Sequence, residues 1–248
     1  MPTTRVVRAA LAVLVATASA HAQIVERRPR STEPVEQDAI PTTYVGGSLT
    51  YAEPQGVFGD YVNAAFGLTG YLVHAFDPDG IVALRADLGY LIYGHTTRRQ
   101  PLGGGALGLI NVDVTTSNNI MFGGLGLQVM APTGRVRPYV SGSLGFSYFF
   151  TTSSVEGSQN TEPFAQSDNY TDGGFTTMWG GGLYVPLRTG ARPIVLDLGA
   201  QMHKNNDIQY LNKDSIYIPD SQSTPVITPI RSAADFITFR LGLTFGVR

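Results

Sequence analysis

The sequence predicts an all-β fold, an eight-stranded antiparallel up-and-down transmembrane β-barrel. Apolar residues alternate with polar or small residues in eight segments, a pattern typical of strands with two unlike faces. Short turns and longer connections separate these segments in regular alternation. The strands are predicted over about 44–52, 61–76, 82–92, 119–130, 136–153, 174–187, 193–204 and 236–248.

The last strand, 236–248, shows the alternation without a break. One face is apolar and consists of Ile237, Phe239, Leu241, Leu243, Phe245 and Val247. The other face is polar or small and consists of Thr238, Arg240, Gly242, Thr244, Gly246 and Arg248. The segment exceeds the roughly 9–11 residues that a tilted strand needs to cross a bilayer.

The first three strands repeat this pattern, and the turn 77–80 (Asp-Pro-Asp-Gly) separates the second from the third. Their apolar faces contain Val45, Leu49 and Tyr51, then Phe66, Leu68 and Leu72, then Val82, Leu84, Ala86, Leu88, Tyr90 and Ile92. Residues 94–118 are polar and Gly-rich and are predicted as a loop, in which 107–116 could extend a hairpin.

The fourth to seventh strands follow the same rule, with short turns at 131–134 and 188–193. Their apolar faces contain Met121, Leu125, Leu127 and Val129, then Val140, Leu144, Phe146 and Tyr148, then Phe175, Trp179, Leu183, Val185 and Leu187, then Ile194, Leu196, Leu198, Ala200 and Met202. The polar segments 155–173 and 205–233 are predicted as long loops.

The lengths of the connections predict the orientation of the barrel. In an up-and-down arrangement all the short turns lie at one end, together with both termini, and the longer loops lie at the other. Short turns inside and long loops outside are typical of small outer-membrane barrels.

The N-terminal region predicts export. Residues 1–22 resemble a secretory signal peptide, with an apolar core over 9–20 and a small-x-small cleavage site that ends at Ala22. We expect a flexible periplasmic linker over 23–42 and the barrel over 43–248.

Composition excludes several classes of site. Charged residues make up 15% of the chain and the net charge is −2, without the clustered Lys and Arg that nucleic acid requires. The chain has no cysteine, which excludes disulfides and thiolate chemistry. Its 29 glycines include many within predicted strands, where they need a reason such as a crowded interior.

Alternation alone does not reveal which face meets the solvent, because a soluble lipocalin-type barrel has the same period with its apolar face inward. The leader, the unequal loops and the Gly-, Ser- and Thr-rich polar face favour a membrane barrel. Aromatic residues near strand ends favour it too, as candidates for interfacial girdles: Tyr44, Tyr51, Tyr90, Tyr93, Phe149, Phe150, Phe236 and Phe245.

Over about 43–248 the chain resembles the OmpA/OmpX-like outer-membrane β-barrel superfamily. Phe239, Leu241, Leu243 and Phe245 resemble the alternating C-terminal signal that the barrel-assembly machinery reads, although that family usually ends on an aromatic residue and here 246–248 follow. The resemblance implies an outer-membrane monomer in contact with lipid and lipopolysaccharide, and no C-terminal peptidoglycan-binding domain is expected.

Four charged residues fall on the polar face and are candidates for an interior network: Arg85, Asp87, Asp197 and Arg240. Buried charges need partners, and two acids with two bases form a balanced set. Such a network could act as a gate or proton path, but a structural plug is favoured because an eight-stranded barrel has room only for its own side chains.

The segment 203–206 (His-Lys-Asn-Asn) resembles the His-x-Ser-Asn motif of lipid A 3-O-deacylases, which are outer-membrane barrel enzymes. Asn205 stands where that family has its nucleophilic Ser, so no acyl-enzyme forms by that route. These residues are therefore interpreted as polar residues at the membrane rim.

Other polar groups predict no site. The glycines 103–105 lack the Lys-Ser/Thr of a phosphate loop. His74 and His95 are isolated, and the last loop region lacks calcium-loop spacing at Asp207, Asp214, Asp220 and Asp235, where a weak ion or lipopolysaccharide contact stays possible. No catalytic, cofactor-binding or metal residue is predicted.

Taken together, these features predict a non-enzymatic outer-membrane protein with an envelope-structural or surface-interaction role. The first alternative is a narrow porin-like channel for small solutes. The second, disfavoured, is a lipid A-modifying enzyme.

Overall fold

A computed structural model describes residues 41–101, 111–132, 134–157, 160–190, 192–212, 215–217 and 226–247. The predicted signal peptide and linker lie outside the described residues, except for 41 and 42.

The structure consists of strands and one short helix. In chain order these are β1 (Thr43–Pro54), α1 (Gly56–Tyr61), β2 (Ala65–Ala75), β3 (Val82–Pro101), β4 (Asn111–Met130), β5 (Arg137–Gly157), β6 (Asn160–Arg188), β7 (Ile194–Asn205), β8 (Asp207–Tyr210), β9 (Ile216–Tyr217), β10 (Val226–Ile227), β11 (Ile230–Ala233) and β12 (Phe236–Val247).

Eight strands, β1 to β7 and β12, form a closed antiparallel barrel in which neighbours in space are neighbours in sequence. The first and last strands close it, with pairs that run from Thr43 with Val247 to Pro54 with Phe236. In the connection before β12, β8 pairs with β11 and β9 with β10. The predicted fold class is therefore confirmed.

The apolar faces of the strands point outward, as predicted for a barrel in lipid. In β1, Leu49 is 65% exposed whereas its neighbour Thr50 is 3% exposed. The same contrast holds in β12, where Leu241 and Leu243 are exposed and Thr238 and Thr244 are buried. A soluble barrel of the lipocalin type would show the opposite arrangement.

Four strands are longer than the sequence predicts. β3 and β4 remain paired as far as Pro101 with Asn111, and β5 and β6 as far as Gly157 with Asn160. The prediction of a loop over 155–173 is therefore wrong for the described residues, and so is that over 94–118, except that the hairpin extension considered for 107–116 is confirmed over 111–116. The predicted loop 205–233 likewise contains the short paired strands β8 to β11. Segments rich in Thr form strands readily, but with polar side chains on both faces they show no alternation.

The short helix α1 was not predicted. It ends at Tyr61, where the second strand was predicted to begin, and β2 starts only at Ala65. It lies between β1 and β2 at the end of the barrel that carries the longer connections, and it buries Phe58. Among the described residues, no helix is long and apolar enough to cross a membrane.

Three of the aromatic residues predicted for the interfacial girdles point inward instead. Tyr93, Phe149 and Phe236 are buried in the barrel interior near its outer end. Tyr51, Tyr90 and Phe245 are exposed on the outer surface, in agreement with the prediction.

Glycine within a strand has a clear reason at Gly89. A Cβ atom there would overlap the ring of Phe122, which covers the glycine from the neighbouring strand β4. The interior is thus crowded, as expected from the many strand glycines. A large side chain such as Phe122 fits because the residue that faces it is a glycine without a side chain.

The turn 77–80 is held by its first residue. The carboxylate of Asp77 accepts hydrogen bonds from the backbone N–H groups of Ile81 and Val82, each at 2.8 Å. These bonds lower the pKa of Asp77, because they favour the charged form. Gly80 completes the turn with a φ of 65°, which an L side chain rarely adopts.

The outward-facing apolar side chains of the barrel strands, such as Leu49, Leu241 and Leu243, are here called the apolar belt. Their orientation can be tested by introducing the same residue at two equally exposed sites. Leu241 lies at mid-strand and is 53% exposed, and Val57 lies in α1 beyond the strands and is 52% exposed. Leu241→Arg should cost about 2–4 kcal/mol of unfolding free energy in phospholipid vesicles, because it places a charge near the bilayer midplane. Val57→Arg should cost far less. Urea unfolding followed by the fluorescence of Trp179 measures both, and equal costs would contradict the orientation.

Candidate functional site

The middle of the barrel interior holds the four charged residues that the sequence singled out. Arg85 and Asp87 come from β3, Asp197 from β7 and Arg240 from β12. All four are buried. The alternation along each strand turns them away from the exposed apolar belt and toward the barrel axis.

Asp87 is the centre of this group. Its carboxylate accepts hydrogen bonds from Nε of Arg85, at 3.0 Å to each oxygen, and from Nη2 of Arg85 at 2.8 Å. It also accepts one from Nη1 of Arg240 at 3.2 Å. One carboxylate therefore bridges two guanidinium groups from strands β3 and β12, which do not pair with each other.

Asp197 joins the network through Tyr139 on β5. The Tyr139 hydroxyl donates to Oδ1 of Asp197 at 2.7 Å and accepts from Nη2 of Arg240 at 3.4 Å. The prediction that the four charges form one interior network is therefore confirmed.

Amide and aromatic side chains complete the network, and the sequence did not single them out. Arg85 donates to Oε1 of Gln128 at 2.7 Å, and Arg240 donates to Oε1 of Gln201 at 3.2 Å. The Arg85 guanidinium lies 4.5 Å from the ring centre of Tyr71. Gln128, Gln201 and Tyr71 occupy inward-facing positions of their strands. The alternation in the sequence could therefore have identified them, because all inward-facing residues share the barrel interior.

Several interior polar atoms have no hydrogen-bond partner among the described protein residues. They are Nε2 of Gln128, Oγ of Ser141 and Ser143, the Tyr184 hydroxyl, Oδ2 of Asp197, Nε2 of Gln201, Nδ1 of His203 and Nε of Arg240. Buried atoms of this kind commonly bond to water.

Above the network, toward the longer connections, the interior is apolar. Phe58 from α1 lies at the centre of an outer aromatic cluster with Tyr93, Phe149 and Tyr210. Its ring centre is 5.7, 5.9 and 4.9 Å from theirs, respectively, with edge-to-face geometry. The cluster closes the barrel at this end, since its members come from the helix, β3, β5 and β8.

His203 belongs to this closure and not to the membrane rim. It is fully buried, its ring stacks on Phe236 at 4.5 Å and meets Phe122 at 4.6 Å, and its Nε2 lies 3.2 Å from the Thr238 hydroxyl. The interpretation as a polar rim residue is wrong for His203, because its position in β7 has inward parity.

The neighbours of His203 have different environments. Lys204 points outward and is 61% exposed, with Nζ 3.7 Å from Asp235. Asn205 is buried, where it accepts a hydrogen bond from Thr176 and donates one to the Ala234 carbonyl. Asn205 is thus a structural link between β6 and the segment before β12.

Beyond the barrel rim, β3 to β6 continue as a four-stranded sheet, here called the projecting sheet. β3 leaves β2 after Ile92, which pairs with Phe66, and β6 meets β7 only from Thr176 onward. A register shift between Ile92 and Gly94 marks the point where β3 leaves the ring. The projecting sheet therefore has two edges that the barrel does not cover.

The two edges differ in their surroundings. The β6 edge is flanked by β8, since Asn206 N–H donates to the Phe175 carbonyl and Gln209 N–H donates to the Asp172 carboxylate at 2.7 Å. Among the described residues, none pairs with the outer edge of β3 beyond Ile92.

The outward face of the projecting sheet is polar. Its cross-strand rows contain His95, Ser117 and Thr152, then Thr97, Thr115 and Ser154, then Arg99, Asp113 and Glu156. Thr97 and Thr115 share a hydrogen bond of 3.0 Å, and Arg99 pairs with Asp113 at 3.1 Å. The opposite face contacts the last connection, where the Tyr93 hydroxyl donates to the Leu211 carbonyl at 3.0 Å.

The other candidates from the sequence form no common site. Residues 103–105, Asp214 and Asp220 lie outside the described residues. His74 shares a hydrogen bond of 2.9 Å with Thr43, and the Asp235 carboxylate accepts one from Asn205 N–H. No group of three His, Cys, Asp or Glu residues within the described ranges could hold a metal ion.

No protein-family model and no curated protein matches the chain. In structure it is similar to Neisserial surface protein A, with 10% identity, a TM-score of 0.44, and coverage of 83% of this chain and 97% of that one. It is also similar to the attachment invasion locus protein Ail of Yersinia pestis, with 11% identity, a TM-score of 0.39, and coverage of 82% and 95%.

A third similar structure is the N-terminal β-barrel domain of Pseudomonas aeruginosa OprF, with 13% identity, a TM-score of 0.34, and coverage of 83% and 98%. The closed eight-stranded barrel itself confirms the predicted resemblance at the level of the fold.

The central position of Asp87 can be tested against an exposed pair of the same chemistry. Asp87→Asn leaves two buried guanidinium groups with less compensating charge, and it should cost about 3–5 kcal/mol of unfolding free energy. Asp113→Asn removes the partner of the exposed Arg99 and should change stability little, because solvent screens that pair. Urea unfolding in vesicles gives both values. If the two variants unfolded at the same urea concentration, Asp87 would not be central to the interior.

Proposed function

We propose that this chain is an outer-membrane surface protein whose closed barrel carries the projecting sheet into the medium, where it binds a protein partner. Its role is interaction and not catalysis. The observation that carries this proposal is the continuation of β3 to β6 beyond the barrel rim.

The outer membrane is supported by features of the chain itself. The exposed apolar belt and the polar interior suit a bilayer, and the predicted leader directs the chain out of the cytoplasm. With the short turns in the periplasm, the projecting sheet faces the exterior. Barrel-assembly machinery would insert the chain, and lipopolysaccharide would surround its outer half.

A protein partner is favoured by the edge of the projecting sheet. Along β3, from Tyr93 to Pro101, backbone groups face away from β4 with no described partner. An extended segment of another protein can add a strand at such an edge, with main-chain hydrogen bonds for affinity and neighbouring side chains for selectivity. Thr97, Arg98 and Arg99 would supply those side chains.

A lipid A-modifying enzyme is disfavoured by the position of His203. A general base must reach both a nucleophile and the substrate, but this ring lies between Phe122 and Phe236 inside the barrel. Its hydroxyl neighbour, Thr238, is buried as well.

A narrow channel is the second candidate, and the partnerless polar atoms of the interior favour it, since a file of water could bond to them. Two barriers oppose conduction. The pair of arginines around Asp87 spans the axis, and the outer aromatic cluster closes the end above it.

Conduction can be tested directly in planar lipid bilayers. The folded protein should produce no single-channel current steps, because the interior is filled at two levels. A general porin added to the same bilayer provides the positive control. Reproducible steps from the purified barrel would favour the channel instead.

The surface role can be tested with a shortened barrel. Replacement of 95–117 and of 152–169 by two-residue Asn-Gly turns would join Gly94 to Asn118 and Thr151 to Tyr170, which are paired positions. Both forms should be recovered in the outer membrane and should show heat-modifiable gel mobility. Only cells with the full-length form should adhere to surfaces coated with extracellular-matrix proteins. Equal adhesion by both forms, or adhesion by neither, would contradict the proposed role.

A further inference from the structure

A groove on the outer surface of the barrel lies at the short-turn end, where β6, β7 and β12 meet. It has a volume of about 530 Å³. Its lining combines lipid-facing apolar residues with two arginines and consists of Arg188, Arg192, Pro193, Ile194, Phe245, Gly246 and Val247. Phe245 and Val247 belong to the exposed apolar belt, so the groove lies at the edge of the membrane-facing surface.

The fold builds this groove through an irregularity in β6. Pro186 pairs with Val195, whereas Arg188 pairs with Ile194, so the register shifts by one residue between them. Val195 points into the barrel and Ile194 faces the groove. Since paired residues share a face, the shift turns Arg188 from the inward side toward the outward side. At the rim it lines both this groove and the cavity in the short-turn mouth of the barrel.

The floor of the groove is fixed by backbone contact. Gly246 N–H donates to the Pro193 carbonyl at 3.1 Å, which holds the turn before β7 against β12. A Cβ atom on Gly246 would lie 2.6 Å from the Pro193 ring. The close approach therefore depends on glycine, and it places Arg192 beside the apolar end of β12.

The two arginines are exposed, and neither pairs with a carboxylate among the described residues. By contrast, each of the interior arginines has a carboxylate partner in Asp87. As far as the chain is described, the groove thus presents two arginines without an ion-pair partner directly beside apolar side chains. An occupant that matches it must have an anionic head and an apolar body.

We infer that this groove binds an anionic phospholipid of the inner leaflet, with the phosphate between Arg188 and Arg192 and an acyl chain along Phe245 and Val247. Guanidinium groups bind phosphate oxygens with paired hydrogen bonds, and the charge of the head adds to the attraction. The short-turn end faces the periplasm in the proposed orientation, which places the groove at the level of the inner-leaflet head groups.

The inference rests on the proposed location of the barrel in a bilayer, but separate experiments test the location and the lipid site. Fractionation tests the location, whereas lipid retention by the purified barrel tests the groove. The probe is phosphatidylglycerol, compared with zwitterionic phosphatidylcholine of the same acyl chains.

Native mass spectrometry of the folded barrel, released from neutral detergent micelles, counts the lipids that stay bound. The wild type should retain one phosphatidylglycerol in preference to phosphatidylcholine. The double variant Arg188→Gln, Arg192→Gln should bind phosphatidylglycerol about tenfold more weakly or worse, since each basic residue near a membrane surface contributes to anionic-lipid affinity.

The matched control is Arg135→Gln, Arg231→Gln, which removes the same charge from exposed arginines outside the groove. It should retain phosphatidylglycerol as the wild type does. Arg192→Gln alone, which lies in a turn outside the strands, should give a smaller loss and keeps the test valid if the double variant folds poorly.

Three results would overturn the inference. The double variant could retain phosphatidylglycerol as well as the wild type, or the control could lose it to the same extent. Soluble glycerol phosphate could also bind as tightly as the lipid, which would identify a phosphate ester without acyl chains as the ligand.

Discussion

The barrel depends on one constraint, which is that no backbone N–H or C=O group can stay unpaired in hydrocarbon. An open sheet would expose two edges, and closure removes both. The pairing of β1 with β12, over the full length of each strand, is therefore the contact on which the rest of the spanning structure depends. Once it is made, side chains are free to differ between the two faces, with apolar ones toward lipid and polar ones toward the axis.

Closure of only eight strands leaves a narrow interior, and this determines how charge can be placed there. A charge inside cannot keep a full hydration shell, so it needs partners from other strands. Asp87 meets two guanidinium groups, and Tyr139 connects one of these to Asp197. Space for these large groups comes from glycine: Cβ atoms at Gly182 and Gly199 would lie 2.6 and 2.8 Å from the Tyr139 hydroxyl.

Alternation in the sequence was informative where the two faces of a strand meet different media. That condition holds in the membrane, which is why the eight strands and the inward direction of Arg85, Asp87, Asp197 and Arg240 could be predicted. The condition does not hold in the projecting sheet, where both faces are polar: Thr96 and Thr97 lie on opposite faces. The sequence shows no alternation there, and these strand residues were therefore predicted as a loop. The condition also does not hold near the outer aromatic cluster, where α1 and β8 exclude water from the interior. An inward-facing residue such as Phe149 is apolar there, so both faces of the strand are apolar and the alternation is lost.

The alternation along a strand predicts which face of the sheet a residue occupies. It does not predict the position of the residue along the barrel axis, or which residues of non-adjacent strands it contacts. Asp87 and Arg240 are separated around the ring by β2 and β1, so their contact depends on the tilt and stagger of strands that a linear pattern does not contain. Register shifts add a second limit. Strict alternation from Tyr184 would turn Arg188 toward the barrel axis, yet one extra residue after Pro186 turns it toward the outer surface at the rim. The Arg188 guanidinium is thereby exposed beside the lipid-facing end of β12, where the head group of the proposed lipid would supply its counter-charge.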